Sequence, residues 1–200
     1  VYIAGHTRSI DYPTTPNAYD KTQNGGTWDI FVSKLDINLS TLLASTYIGG
    51  IADEDYGAVA LDSDGNVYIA GITTSSNYPT TPGAYDTTYN AAEDIFVSKL
   101  DGNLSLLLAS TFIGGAQTDV GYSIAVDNTG SVYIAGGTQS SSYPTTESAY
   151  DRTHNDGSDG VVSKFDSNLS MLLASTFIGG SLSEDFYSLI IGSTSDVFLT

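Results

Sequence analysis

Three acidic clusters are the part of the sequence whose residue types could hold a metal ion. Each cluster follows a Gly-Gly pair, and the members are Asp53, Glu54, Asp55, Asp119, Glu184 and Asp185. Calcium takes about six to eight oxygen ligands, and carboxylates are common among them. The clusters therefore predict Ca²⁺ as a possible cofactor. The alternative is that these carboxylates cap backbone N–H groups where the chain crosses between sheets.

Aromatic residues at repeated loop positions could bind a ligand by stacking. Tyr12, Tyr78 and Tyr143 each precede Pro-Thr-Thr, and Trp28 lies beside a one-residue insertion in the first loop. Tyrosine and tryptophan rings form stacking platforms for sugars, which is one hypothesis for these four residues. The other is that each tyrosine packs on its proline and its hydroxyl finds a backbone partner, while Trp28 fills a gap.

A third repeated feature is the pattern of N-glycosylation. Asn38, Asn103 and Asn168 are each followed by Leu-Ser, which fits the Asn-x-Ser acceptor pattern. Asparagine is also a favoured turn residue. The sequence therefore leaves two explanations open, a glycosylated hairpin and an unmodified turn.

Catalytic chemistry finds little support in the sequence. His6 and His154 occupy non-equivalent positions, and there is no Gly-x-Ser-x-Gly elbow, His-Glu-x-x-His pair or phosphate-binding loop. The absence of cysteine excludes thiolate catalysis, disulfides and cysteine-based metal sites. We therefore expect a protein that is not an enzyme.

Charge restricts the partners. The 200 residues include 23 acidic and 6 basic side chains, giving a formal net charge of -17. A field of this sign repels phosphate backbones and anionic headgroups, and no apolar run is long enough to span a bilayer. We expect neither nucleic-acid binding nor membrane insertion, and cations are the natural small partners.

The positions of these residues are set by an internal repeat. Val-Tyr-Ile-Ala-Gly begins at Val1, Val67 and Val132, and most repeated motifs recur at a spacing of 65 residues. The units are 1–66, 67–131 and 132–196, and 197–200 begin the next one. A repeat of this length is typical of stacked supersecondary units.

Within the second unit the hydrophobic pattern predicts four short strands. They cover Tyr56 to Leu61, Asn66 to Gly71, Asp94 to Leu100 and Ser105 to Ile113. No segment shows a sustained helical period. The fold class is therefore all-β, and a β-propeller of four-stranded antiparallel blades buries such repeats best. A linear β-solenoid is the alternative.

The motifs resemble a known family. They are Asp62-Ser-Asp-Gly-Asn-Val-Tyr-Ile-Ala-Gly71, Tyr78-Pro-Thr-Thr-Pro-Gly-Ala-Tyr85, Asp94-Ile-Phe-Val-Ser-Lys-Leu-Asp101 and Ser110-Thr-Phe-Ile-Gly-Gly115. Together they resemble the bacterial and archaeal β-propeller repeat called SBBP. The resemblance implies a propeller in secreted or cell-surface proteins and implies no known chemistry.

The number of repeats is too small to close a propeller ring. About three blades are present, whereas propellers close with about four to eight. We expect the other blades to come from a longer chain or from a second copy.

The predicted function is a non-catalytic extracellular or cell-surface scaffold or adhesion module whose partners are glycans or other surface proteins. The alternative is a lectin-like or calcium-dependent binding propeller. The strand entering the Asp-Gly turn is expected to be innermost, and the face with the long loops and Gly-Gly crossovers to carry function.

Overall fold

The computed structural model describes residues 1–90, 92–192 and 196–200. The described residues form strands and no helix, so none of them belongs to a helix that could cross a membrane. Residues 193–195 of the third sequence unit lie outside this description. The strands are β1 (Tyr2–Thr7), β2 (Asp29–Leu35), β3 (Leu42–Ile48), β4 (Glu54–Leu61), β5 (Val67–Thr73), β6 (Asp94–Leu100), β7 (Leu107–Ile113), β8 (Asp119–Val126), β9 (Val132–Thr138), β10 (Asp159–Phe165), β11 (Leu172–Ile178), β12 (Leu189–Ile191) and β13 (Val197–Leu199).

The strands form antiparallel sheets that follow chain order. Two sheets have four strands, β4-β5-β6-β7 and β8-β9-β10-β11, while β1-β2-β3 form a three-stranded sheet and β12-β13 a two-stranded one. This confirms the predicted all-β architecture of four-stranded blades. Each complete sheet takes its first strand from the end of one sequence unit and the other three from the next unit.

The hairpin between β4 and β5 shows why the strands turn where they do. Asp62 accepts backbone N–H bonds from Asp64 at 3.0 Å and from Asn66 at 2.9 Å. Gly65 has a φ of 83°, a conformation that costs glycine least because it has no Cβ. The Asp-Ser-Asp-Gly segment is therefore a tight turn, as predicted.

One edge strand of each sheet lies against its counterparts in the neighbouring sheets. β4 and β8 are edge strands of their sheets and contact each other, and β12 contacts β8. We call β4, β8 and β12 the inner-edge strands. Because β4 leads directly into the turn at Asp62, the strand that enters the Asp-Gly turn is at the edge of its blade, as expected.

Apolar side chains between successive sheets make up the core. One cluster joins the first two sheets through residues such as Val32, Ile69 and Phe112, and a second joins the next two through residues such as Val97 and Ile134. A sheet with apolar side chains on both faces cannot bury them alone. Stacking on neighbours is therefore what stabilises each blade.

The long loop of one blade is bonded to the next blade. Tyr19 N–H donates to the Leu104 carbonyl at 2.8 Å, and Tyr85 N–H donates to the Leu169 carbonyl at 2.9 Å. Leu104 and Leu169 are fully buried. We call this contact the interblade joint.

Side chains of β1 and β2, and of β5 and β6 in the next blade, add hydrogen bonds to the interblade joint. The Tyr2 hydroxyl donates to the Gly102 carbonyl at 3.1 Å, and Lys34 Nζ donates to the same oxygen at 3.0 Å. One blade further on, the Tyr68 hydroxyl and Lys99 Nζ both donate to the Ser167 carbonyl, at 3.0 and 3.3 Å. Every acceptor in the joint is a backbone oxygen.

Candidate functional site

The loop tyrosines hold the long loops onto the sheets. Tyr78 is 3% exposed, and its hydroxyl lies 2.9 Å from Ser98 Oγ, which in turn lies 2.8 Å from Ser110 Oγ. Burial raises the pKa of Tyr78 well above its usual value. Tyr143 is equally buried and makes the same contact with Ser163.

These positions favour packing over sugar stacking at the loop tyrosines, and sugar binding by them stays a prediction. Tyr78 and Tyr143 have no ring face open to a ligand, because the loop and sheet enclose them. Tyr12 is half-buried, stacks against Phe31 at 4.3 Å between ring centres and contacts Ser33. All three tyrosines pack against phenylalanine rings, and their hydroxyls meet serine side chains and not backbone.

Trp28 contacts a cation and a histidine. The Arg8 guanidinium lies 4.0 Å from the centre of the Trp28 ring, and the His6 ring packs edge-on at 4.4 Å. His6 Nδ1 is paired with Asp55. Trp28 is half-buried in this arrangement, so the stacking position on its ring is occupied by the protein itself.

Three of the predicted metal ligands cap the crossovers. A carboxylate accepts the N–H of the second glycine in each Gly-Gly pair, and the distances are 2.9 Å for Gly50, 2.6 Å for Gly115 and 2.7 Å for Gly180. The acceptors are Glu54, Asp119 and Glu184. This is the capping role that stood as the alternative to calcium binding.

The remaining predicted ligands have separate partners. Asp53 accepts N–H bonds from Thr27 and, at 3.1 Å, from Trp28, while Asp185 accepts a bond from Ser158 Oγ at 3.1 Å. Among residues 1–90, 92–192 and 196–200, no three acidic or histidine side chains come together as a metal site. The structure thus disperses the predicted calcium ligands, and calcium binding stays a prediction.

A pair of carboxyl groups lies inside the boundary between two blades. Asp94, at the start of β6, and Asp119, at the start of β8, are both fully buried. Asp94 Oδ2 accepts the Asn90 N–H at 2.7 Å, whereas Asp94 Oδ1 has no hydrogen-bond partner. Burial, opposed by the Asn90 bond and reinforced by the Asp119 charge, raises the pKa of Asp94 to about 7.

The same pairing recurs in the other repeats. Asp29 lies near Glu54 beside Gly49, and Asp159 lies near Glu184 beside Gly179. The Oδ1 atoms of Asp29 and Asp159 also lack a partner. Burial raises the pKa of Asp29 to about 6 and that of Glu54 to about 7. The signal available in the sequence was an aspartate at the same position in all three units.

The predicted glycosylation sites lie at exposed turns. Asn38, Asn103 and Asn168 are exposed, and each precedes a leucine with positive φ in the hairpin that joins two outer strands. Exposure makes each asparagine side chain accessible. Glycosylation therefore stays a prediction.

Three tyrosines from successive inner-edge strands form a contiguous aromatic surface. Tyr56 in β4 and Tyr122 in β8 have ring centres 5.1 Å apart and ring planes at 83°. Tyr122 and Tyr187, which lies just before β12, have centres 4.8 Å apart and planes at 42°. Tyr56 is 49% and Tyr187 64% exposed. We call these three residues the tyrosine row.

Two members of the tyrosine row lie in β-bulges. The pairing of β4 with β5 breaks between Asp55 and Ala58, and that of β8 with β9 breaks between Gly121 and Ser123. Tyr56 has a φ of 72°, which is rare for a bulky residue. Bulges redirect side chains and are frequent beside functional sites. Here they place Tyr56 and Tyr122 outside the regular pairing of their strands, a few residues after the Gly-Gly crossovers.

Two acidic residues, Asp55 and Asp185, lie beside the tyrosine row. Burial, followed by the charge of Asp185 and the neighbouring hydroxyls of Tyr56 and Tyr187, raises the pKa of Tyr122 to about 12. Asp55 precedes Tyr56, and its carboxylate is one-third exposed. In the described part of the chain, the cation–ring contacts all involve aromatic residues outside the row.

Sequence reasoning missed the tyrosine row because Tyr56 is one position out of phase with Tyr122 and Tyr187, which are 65 residues apart. Tyr56 corresponds to Gly121 and Phe186, whereas Tyr122 and Tyr187 correspond to Gly57. Only the bulges and the contact between neighbouring blades bring the three rings together.

The family comparison agrees with this architecture. A family model described as a beta-propeller repeat, SBBP, matches residues 45–79 and 110–144. Two segments of the chain therefore match the SBBP β-propeller repeat. No curated protein matches the chain significantly. Each matched SBBP segment runs from the last outer strand through the Gly-Gly crossover and the inner-edge strand to the loop tyrosine, Tyr78 or Tyr143. The matched segments therefore contain two members of the tyrosine row, Tyr56 and Tyr122.

Proposed function

We propose that this chain is part of a non-catalytic β-propeller that serves as an interaction module in the extracellular space or on the cell surface. Its binding surface is the tyrosine row. The observation that carries the proposal is the contact of three tyrosines, two in inner-edge strands and one just before the third such strand, with two of the three more than two-fifths exposed. Exposed aromatic residues on a rigid sheet are typical of interaction surfaces.

Composition supports the extracellular part of the proposal. The chain has 23 acidic residues, only 6 Lys and Arg residues together, and no cysteine. An acidic surface without reactive thiols suits an exported protein in an oxidising or saline environment. Detection of the protein by antibody in the medium and on intact cells of the producing organism tests this. Detection in the cytosolic fraction alone would contradict it.

A binding assay tests the interaction role. The immobilised protein is exposed to surface proteins released from the producing organism, and binding is compared between the native chain, Tyr56→Ala/Tyr122→Ala and Tyr150→Ala. Tyr150 is a matched control because it is 87% exposed and lies outside the tyrosine row. We expect loss of binding in the double variant only. Equal binding by all three proteins would refute the proposed surface.

Carbohydrate binding is the second candidate function. It is favoured by the exposed rings of Tyr56 and Tyr187 beside carboxylates that could accept sugar hydroxyls. The planes of Tyr56 and Tyr122 meet at 83°, so the row offers a corner and not one flat platform. A glycan array with the same variants tests this function, and loss of a glycan signal in Tyr187→Ala would support it.

A further inference from the structure

The protein repeatedly combines a tyrosine, a carboxylate and a cation. Lys99 Nζ lies 4.9 Å from the centre of the Tyr68 ring and 3.4 Å from Asp62 Oδ2. Lys164 Nζ lies 4.8 Å from the Tyr133 ring and 3.8 Å from Asp127 Oδ2. A cation over an aromatic face is attracted by the negative face of the ring, and a nearby carboxylate adds to that attraction.

The tyrosine row supplies two of these three components. Its rings are Tyr56, Tyr122 and Tyr187, and the carboxylates beside it are Asp185 and Asp55, the second of which is also paired with His6. No lysine or arginine lies over these rings in the portion of the chain that is described. The net charge of -17 adds a field that attracts cations to the whole surface.

We propose that the tyrosine row binds lysine or arginine side chains of a partner protein. This inference rests on the proposed function and specifies the chemistry of the partner. The cation inserts into the corner between two tyrosine rings, where ring faces and carboxylates surround it. The row repeats the lysine–tyrosine–carboxylate arrangement of Lys99, Tyr68 and Asp62, with the cation supplied from outside.

The extent of the row favours a protein segment over a small amine. Three rings follow one another at 5.1 and 4.8 Å between centres, Asp55 is the chain neighbour of Tyr56, and the charge of Asp185 acts on Tyr122. A small quaternary ammonium ion contacts one corner only. A segment with several cationic side chains contacts both corners at once, and linked contacts strengthen each other.

Peptide titrations test the proposal. The probes are three synthetic nine-residue peptides that alternate glycine with lysine, glutamine or glutamate, measured by isothermal titration calorimetry at low and moderate salt. We expect saturable binding of the lysine peptide only, weakened as salt rises because the charges are screened. Equal binding of the glutamine peptide, or no saturable binding of the lysine peptide, would overturn the proposal.

Matched variants locate the contact. Tyr122→Ala should weaken binding of the lysine peptide about fivefold, whereas Tyr122→Phe keeps the ring and should change the affinity less than about twofold. Asp185→Asn should also weaken binding, and Tyr150→Ala should leave it unchanged. An equal loss in Tyr122→Ala and Tyr150→Ala would refute the assignment. Thermal melts of every variant confirm that each remains folded, and Tyr187→Ala replaces any that does not.

The outcomes separate this inference from the proposed function. If surface-protein binding depends on the row while the lysine peptide does not bind, the cationic chemistry is wrong and the interaction role stands. If neither depends on the row, both fail. Binding of tetramethylammonium without binding of the lysine peptide would show that the site takes a small amine, and would contradict a protein partner.

Discussion

Asp94 Oδ1 and Asp119 Oδ2 point into the same space beside Gly114. A methyl group on Gly114 would lie 2.6 Å from the first oxygen and 2.8 Å from the second. The two residues belong to neighbouring blades and are fully buried. Asp119 Oδ2 already accepts N–H and O–H donors from Gly115 and Ser140, while Asp94 Oδ1 has none. A proton bound to Asp94 Oδ1 makes this oxygen a hydrogen-bond donor, so that the carboxyl groups of Asp94 and Asp119 share one proton at the blade boundary.

The first prediction concerns the pH dependence of folding. The pKa values of Asp94 and Glu54 are about 7 in the folded protein, and those of Asp29 and Asp119 are also raised. The folded state then binds more protons than the unfolded state between about pH 4 and pH 7, so the free energy of unfolding falls as pH rises through this window.

Urea titrations at pH 5, 6, 7 and 8 measure this trend. We expect a loss of several kcal/mol between pH 5 and pH 7 and a smaller further loss to pH 8, because groups with a pKa of about 7 are still half protonated at pH 7. Hairpin carboxylates such as Asp62 and Asp101, whose pKa values are lowered, oppose this trend only under more acidic conditions. A free energy of unfolding that rises from pH 5 to pH 8 would contradict the prediction.

The second prediction isolates one carboxyl pair through Asp94→Asn. The amide Nδ2–H can donate to Asp119, and its carbonyl can accept the Asn90 N–H. We expect the variant to be more stable than the native chain by about 1–2 kcal/mol at pH 8, and to have a flatter pH profile. Asp64→Asn is the control because Asp64 is exposed. Destabilisation at pH 8 would show that the pair does not share a proton.

The third prediction concerns the buried chain of hydroxyls. Ser98 contacts both Tyr78 and Ser110, so Ser98→Ala leaves two hydroxyls without this partner, whereas Tyr78→Phe removes only the terminal one. We expect losses of about 2 kcal/mol and about 1 kcal/mol in the free energy of unfolding. Ser148→Ala, at an exposed position, should have no effect. Equal losses from Ser98→Ala and Ser148→Ala would argue against the chain.

The fourth prediction is that one substitution at Tyr56 raises stability and weakens binding. Its φ of 72° strains a bulky residue, and asparagine adopts this conformation more readily. Tyr56→Asn should stabilise the fold by about 0.5–1 kcal/mol and weaken binding of the lysine peptide. Tyr187→Asn, without such a φ, should weaken binding with no gain in stability. A thermal melt and a peptide titration of both variants check this, and a destabilised Tyr56→Asn would refute it.

The strand positions could be predicted because each repeat obeys local rules. Asp94 to Leu100 was predicted in full, and Tyr56 to Leu61 fell short by two residues because β4 begins at Glu54. Those two residues precede the bulge, where the alternation of side chains is broken. Period-two patterning identifies regular strands and is lost where an extra residue is inserted.

The candidate site could not be predicted, because its parts come together only when blades stack. Asp94 and Asp119 are 25 positions apart in the chain and belong to different sheets. The rings of Tyr56 and Tyr122 meet across a blade boundary. A repeat shows which residues recur, but distances between neighbouring copies depend on packing. The sequence therefore shows where the acidic clusters are, whereas their capping of backbone N–H groups is visible only in the folded structure.

The interblade joint has a consequence for how such proteins diversify. Tyr19 and Tyr85 donate backbone N–H groups, and every acceptor, including those of Gly102 and Ser167, is a main-chain carbonyl. The residue at the acceptor position of the Tyr2 and Tyr68 hydroxyls can therefore vary, and it is a glycine in one blade and a serine in the next. A duplicated or recombined gene segment could add a blade without compensating mutations on its neighbour.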